Sequence, residues 1–269
     1  GGIVVLLFLI VGCLAPVIAP HDPLEVNVSI RLQGPSQEYW LGTDHLGRCI
    51  LSRLLYGAQT TLLNSLVVLA GILLIGIPLG LISGFCGGWI DNLIMRFADI
   101  VSTFPSSLLA LAVVSVFGAG LQNVMIVLVA LWWAPFARIL RSQVLKIKEK
   151  DFVMAAKASG TSKFKIVINH VLLNSISPII VYSTLRVAAV IMHIASFSFI
   201  GLGTQPPAAD WGVMLSDSKQ FISTAPLMMI WPGLSIMLVV FSLNMFGEGL
   251  NEALMPGGNK KAKQLGDGE

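Results

Sequence analysis

Charge is scarce in this sequence. Asp, Glu, Lys and Arg make up 12% of 269 residues, about half of what a soluble domain carries. That shortage excludes an ordinary water-soluble globule. The net charge of +3 is too small to point to nucleic acid. Cysteine is scarcer still: Cys13, Cys49 and Cys86 stand apart, which excludes a disulfide framework and a Cys-x-x-Cys zinc site. There is no Gly-x-x-x-x-Gly-Lys-Ser/Thr loop, so no P-loop binds ATP here. There is no His-Glu-x-x-His, which removes the common membrane zinc protease. Ser and His occur at no spacing that organises a nucleophile and its base.

What the sequence has instead is apolar residues, 55% of the chain, gathered in runs long enough to cross a bilayer. The fold class expected is all-α integral membrane. Six spans are read: Gly1–Ile18, Leu62–Phe85, Ile94–Phe117 broken by Pro105, Val124–Leu145, Ile176–Ile200 and Pro226–Phe246. Residue 1 is a Gly inside an apolar run, so the natural N-terminus is expected upstream. Small residues from Ala15 to Ala19 would suit signal-peptide cleavage, but the further spans favour a retained first helix. The organisation is then a first helix (1–18), an extracytoplasmic segment (19–61), a membrane domain (62–250) with a loop at 146–175, and a tail (251–269).

The few charges orient the bundle. Arg138 to Lys165 carries eight Lys/Arg against Glu149 and Asp151, and the tail adds Lys260, Lys261 and Lys263. Ala19–Tyr56 holds three Arg against Asp22, Glu25, Glu38 and Asp44, and Gly203–Ala225 has Lys219 against Asp210 and Asp217. The excess of Lys and Arg places the 146–175 loop and the C-terminus in the cytoplasm.

That loop is structured. Phe152–Ser159 reads as a short helix, Gly160 as its stop, and Thr161 or Ser162 as the next start. Phe164, Val167, Ile168, Val171 and Leu172 fall on one face of an α-helix. Ala155, Ala156 and Gly160 offer a small surface at the corner. The physical reading is a helical knob that passes motion from a soluble partner to the spans. The competing one is a basic amphipathic connector on the lipid surface.

Here the residues resemble a known family. Ala155, Ala156, Gly160, His170 and Asn174 match the coupling ("EAA") loop of ABC importer permeases; Met154 stands where the family has Glu, and Leu173 where it has Pro. Glu149 and Asp151 lie close enough to stand in for that Glu. Leu41-Gly42-Thr43-Asp44, Leu46-Gly47-Arg48, Ser52-Arg53 and Gly57 match the external motif of the dipeptide, oligopeptide and nickel branch, with Cys49 in place of Asp and Gln59 in place of a common Arg. Gly87-Gly88-Trp89-Ile90-Asp91, Phe104-Pro105, Ser198-Phe199-Ile200-Gly201-Leu202-Gly203 and Trp211-Gly212 extend the match along the whole chain.

The resemblance implies a type I importer permease, the C-type member of its pair, in the bacterial inner membrane. It implies a homologous second permease, two ABC ATPase subunits on the cytoplasmic loops and an extracytoplasmic substrate-binding protein. ATP and Mg would be bound by the partner ATPases, with no cofactor in this chain. The implied cargo is nickel or a metal chelate, towards which Met154 and the run MRFADIVSTFPSS lean, or a di- or oligopeptide.

Charge inside a span is the remaining signal. Arg186 sits mid-span, His193 two turns further on nearly the same face, and Ser196 follows. They line the substrate path, or form a structural pair within the bundle. The family's Glu is Ile194 here. Arg96 and Asp99 are read as an i, i+3 ion pair. Thr43 or Asp44 is read as the cap of a short helix leading to Leu62. On such a helix His45 and Cys49 would share a face and reach a soft metal ion; a structural docking segment is the competing account, and no metal site is assigned. The rival class is an ion-coupled secondary transporter or channel with no ATPase, which predicts deep acidic residues and inverted-repeat symmetry; neither stands out.

Overall fold

The computed structural model describes residues 1–254. The tail lysines Lys260, Lys261 and Lys263 lie outside the described residues. Apolar stretches with no water to satisfy their backbone must be helical, and the described chain is: α1 (Gly2–Ile18), α2 (Ile50–Cys86), α3 (Gly88–Thr103), α4 (Ser106–Phe117), α5 (Leu121–Ile147), α6 (Asp151–Ala158), α7 (Lys163–Phe199), α8 (Trp211–Ser218) and α9 (Leu227–Leu254). Among the described residues the only bridge pairing is Thr43 with Cys49.

Four helices, α2, α5, α7 and α9, are long and apolar enough to cross a membrane. The third expected span is α3 and α4, bent by 79° at Phe104-Pro105. It is a fifth span if the two halves are counted as one. Pro105 has no N–H to continue a helix and disfavours helical geometry at Phe104, so the expected break is a corner. α1 is apolar but has 17 residues, about 25 Å of helix.

Helix α2 begins at Ile50, twelve residues before the expected span, and packs along α5 at a seam of small residues. A Cβ on Gly80 would lie 2.7 Å from the Ala137 carbonyl oxygen, and one on Gly84 2.7 Å from Val144 Cβ. Close backbone approach is what packs helices where lipid offers no hydrophobic drive. Lys148 closes the lower end by donating to the Gly84 carbonyl at 3.0 Å.

Two arginines of α5 hold α3. Arg141 pairs with Asp91 at 2.5 Å, and Arg138 with Asp99 at 2.9 Å; Ser83 of α2 also donates to Asp91. Asp99 is therefore not paired with Arg96, as the sequence spacing suggested. The more distant Arg138 wins because α3 lies against α5.

The main buried cluster runs through α2, α4, α5 and α7 and includes Val68, Leu128, Phe136, Leu140 and Ile194. Val153 of α6 and Ile166 and Val171 of α7 belong to it as well. A second cluster joins α2, α7, α8 and α9 around Trp211.

Candidate functional site

The knob is built from α6 and the start of α7. Helix α6 ends at Ala158 with Ser159 as its C-cap, and Gly160 turns the chain with φ +75, a left-handed conformation that glycine adopts without a Cβ penalty. The chain then re-enters a helix at Lys163 and does not leave it until Phe199. The knob's second helix is thus no separate element. It is the first part of the long helix α7.

Its winding also differs from the expected α-helix. Ile166–Leu172 is π-helical, and the residues that turn inward are Ile166 and Val171, five apart. Phe164 is 76% exposed and Ile168 is exposed too. A π-turn carries more residues than an α-turn, so the predicted apolar face is only partly kept: Val171 is buried and Val167 and Leu172 pack on the core, while Phe164 and Ile168 turn out.

Ala155 and Gly160 are exposed, Ala156 is half-buried against the core, and Asn174 is exposed. Asn174 donates to the His170 carbonyl at 2.6 Å, and the His170 ring lies 6.5 Å from that of Phe152. Phe152 and Met154 of α6 and Phe164 of α7 are exposed, as are Lys157, Lys163 and Lys165. The Cβ of any residue at 160 would meet nothing within 4 Å in this chain. The result is a rooted knob with an open, partly apolar crown. Glu149 and Asp151 are both exposed and neither joins an ion pair among the described residues.

Higher on the same helix, Tyr182, Arg186, His193 and Ser196 form a stripe. Arg186 donates to the Tyr182 hydroxyl. Its guanidinium carbon lies 4.7 Å from the Tyr182 ring centre and 5.5 Å from that of Trp132 on α5. His193 shares its Nδ1 with the Ala189 carbonyl at 2.9 Å and meets the Trp132 ring edge-on at 4.6 Å. Ser196 bonds its own helix, donating to the Met192 carbonyl at 2.7 Å. So the structure brings Arg186 and His193 together through Trp132, which in the sequence is one more apolar residue of its span. Arg186 faces no carboxylate among the described residues.

The far end of the bundle carries a third cluster. Asp44 caps no helix. Its carboxylate accepts from Leu46 N at 2.8 Å and Arg48 N at 3.0 Å, and pairs with Arg48 Nε at 2.6 Å. Arg48 also reaches Asp217 of α8 at 3.1 Å, and Arg53 lies 3.6 Å from Asp44 and 3.8 Å from Asp217. Arg48 and Arg53 are 2% and 1% exposed. The external motif is therefore an ion cluster that latches the start of α2 to α8. Trp211 reinforces it by donating to the Leu54 carbonyl at 3.1 Å.

The His45–Cys49 pairing is not realised. Both precede α2, Cys49 is buried at its N-cap, and His45 stacks on Phe221 at 5.6 Å. Asp210 caps α8 by accepting from Gly212 N and Val213 N at 2.9 and 3.2 Å. Its Oδ2 is buried without a hydrogen-bond partner. Burial pushes this carboxyl up, against the two amides that hold it down.

Comparison with known proteins follows the same lines. Residues 76–257 match the family model described as "Binding-protein-dependent transport system inner membrane component". The chain is 46% identical over 256 residues to a dipeptide transport system permease protein of Alkalihalophilus pseudofirmus, covering 95% of this chain and 84% of that one. It is 39% identical over 237 residues to a nickel transport system permease protein of Escherichia coli K12, covering 88% and 86%. It is 40% identical over 258 residues to a glutathione transport system permease protein of Pectobacterium atrosepticum, covering 95% and 85%. In fold it resembles a chain of the inward-facing MetNI methionine ABC transporter, with TM-score 0.60, 19% identity and coverage of 77% of this chain and 98% of that one.

Proposed function

The chain belongs to the family of binding-protein-dependent transport system inner membrane components and is an ABC importer permease, and from that premise we propose that the Asp151–Asn174 knob is its ATPase-coupling element. As a permease it is a translocation subunit of the bacterial inner membrane, and ATP hydrolysis belongs to its partner ATPases.

The finer reading is mechanical. This subunit pairs with a homologous permease to enclose the path, and two ATPase subunits grip the two knobs from the cytoplasm. A substrate-binding protein delivers cargo at the opposite face. The C-terminus lies on the knob side, and ATP and Mg are held by the ATPases. Ala155, Ala156, Gly160, His170 and Asn174 carry coupling, and Arg186, His193 and Ser196 line the path.

The observation that carries this reading is the unbroken helix Lys163–Phe199. A displacement at the knob moves the stripe directly, because no loop between them absorbs it. Val153, Ile166 and Val171 seat the knob in the same core as α5, so it moves with the bundle. Near Ala155, exposed Met154 in place of an acid shifts the docking contact towards apolar packing.

Cargo falls within the range of the relatives' names: dipeptide, nickel and glutathione. The sequence leans towards nickel or a metal chelate, with a di- or oligopeptide as the alternative. Reconstitution tests the coupling. Vesicles holding both permeases, with the binding protein supplied, are expected to import cargo only when the ATPases are present and ATP is inside. Import at full rate without the ATPases would end the reading. Substrate class is checked by identifying what the cognate binding protein holds.

A further inference from the structure

We infer that Arg186, held against Tyr182 and Trp132, is a way-station for a carboxylate of the cargo. The inference rests on the path-lining reading of the α7 stripe. It goes further by naming the chemistry the stripe accepts.

The argument starts from what surrounds the charge. An arginine within a membrane span is costly unless it meets a partner or water. Arg186 has neither a carboxylate nor a second acceptor side chain among the described residues beyond the Tyr182 hydroxyl. It is half-buried, so the guanidinium is reachable from one side.

The arginines of α5 and of the α2 end behave differently from Arg186: Arg48, Arg53, Arg138 and Arg141 all pair with aspartates. Arg186 is set apart from them. Its plane is fixed by aromatic faces on two helices, at 4.7 and 5.5 Å, and Trp132 is itself braced by His193. A fixed planar fork with free N–H donors matches a carboxylate bidentately.

Two further observations fit transit. Hydrogen-bonding groups on the stripe that are satisfied locally, His193 to Ala189 and Ser196 to Met192, leave Arg186 as the main free donor. A single bidentate contact holds cargo loosely enough to release it. A naked divalent cation would be repelled by the same charge. The cargo favoured is therefore a small molecule with an exposed carboxylate: a peptide C-terminus, or a metal carried by a carboxylate chelator.

The test uses the assembled importer with both permeases and the ATPases, with Cys13, Cys49 and Cys86 replaced by Ala. Ala189→Cys places a thiol one turn from Arg186, and Ser196→Cys places one further along the stripe. Each is labelled with a water-soluble maleimide, with dialanine, dialanine amide or inorganic phosphate present.

Dialanine is expected to slow labelling at position 189 at least about threefold, and the amide and phosphate hardly at all. Arg186→Met should abolish the protection, and Arg186→Lys should keep part of it. Equal protection by acid and amide, equal protection by phosphate, protection surviving Arg186→Met, or no protection of a labelled thiol each overturns the carboxylate site while leaving the path reading intact. If neither thiol is labelled, the path reading itself fails. The acid–amide comparison needs no change at Arg186, so it stands even if an arginine variant does not assemble.

Discussion

Arg48 and Asp217 are 169 positions apart in sequence and 3.1 Å apart in space. With Asp44 and Arg53 they make a balanced cluster of two cations and two anions at the end of the bundle away from the knob. Taking away one acid leaves two buried guanidinium groups facing Asp44 alone. Asp217→Asn is expected to destabilise the subunit by roughly 3 kcal/mol, the low end for a broken buried pair, because Asp217 is not fully enclosed. Thermal unfolding of the detergent-solubilised importer checks it; an unchanged midpoint would mean the latch contributes nothing.

Asp210 gives a pH dependence with a definite sign. Burial raises its folded pKa above the unfolded carboxylate value of about 3.9. The native state therefore holds the proton more tightly than the unfolded chain. The stability this contributes is fully present below the unfolded value and is lost as pH rises through the folded one. Asp210→Asn keeps an oxygen for Gly212 N and Val213 N but cannot ionise. It should flatten the acid-to-neutral slope of the unfolding temperature and match or exceed the parent at neutral pH. Asp210→Ala, which also loses the cap, should fall by about 1 kcal/mol. A steeper slope in Asp210→Asn would reverse the assignment.

The α2–α5 seam makes a packing prediction. A side chain at Gly80 meets the Ala137 carbonyl oxygen, which is backbone and cannot swing aside. Gly80→Leu is expected to cost about 1–3 kcal/mol or more by overpacking. Gly120→Ala, where a Cβ meets nothing within 4 Å, should stay within about 0.5 kcal/mol. Denaturation of both variants side by side separates them, and similar midpoints would show that the seam is looser than drawn.

At Gly160 the constraint is backbone rather than space. The φ of +75 costs a β-branched residue roughly 1–2 kcal/mol, while Asn tolerates it better. Gly160→Val should weaken ATPase co-purification and uncouple hydrolysis from uptake, and Gly160→Asn should retain most of both. If Gly160→Val assembles and transports at the parental rate, the coupling role assigned to this corner is wrong.

Much of the architecture was legible because lipid is a demanding solvent. A run such as Leu62–Phe85 has one stable fate there, and the knob's glycine stop stood out against it. The differences share a cause: local pattern does not report contacts between residues far apart in sequence. Asp44 looked like a helix cap, but it accepts from Leu46 N and Arg48 N and pairs with Arg48, in a cluster whose distant member, Asp217, is invisible at short range. Arg96 was the nearest cation to Asp99 in sequence, but Arg138 is the nearer one in space. The face of Phe164 to Leu172 was drawn with α-helical spacing, and over seven residues a hydrophobic pattern cannot separate that from π. The stripe on α7 is half-visible in the sequence: Arg186 and His193 announce themselves as polar residues in lipid, while Trp132 reads as one more apolar residue.

The helix from Lys163 to Phe199 runs 37 residues without an intervening loop, about 55 Å at α-helical rise, with a π-helical stretch at Ile166–Leu172 and Pro178 inside it. Phase therefore becomes a property of the helix as a whole. One residue inserted into the helix between Lys163 and Arg186 would turn the guanidinium about 100° relative to the knob, with both ends chemically intact. The wide turn at Ile166–Leu172 and the proline at 178 are where that register shifts, and the length of the helix, as much as its chemistry, sets how the knob is phased against the stripe.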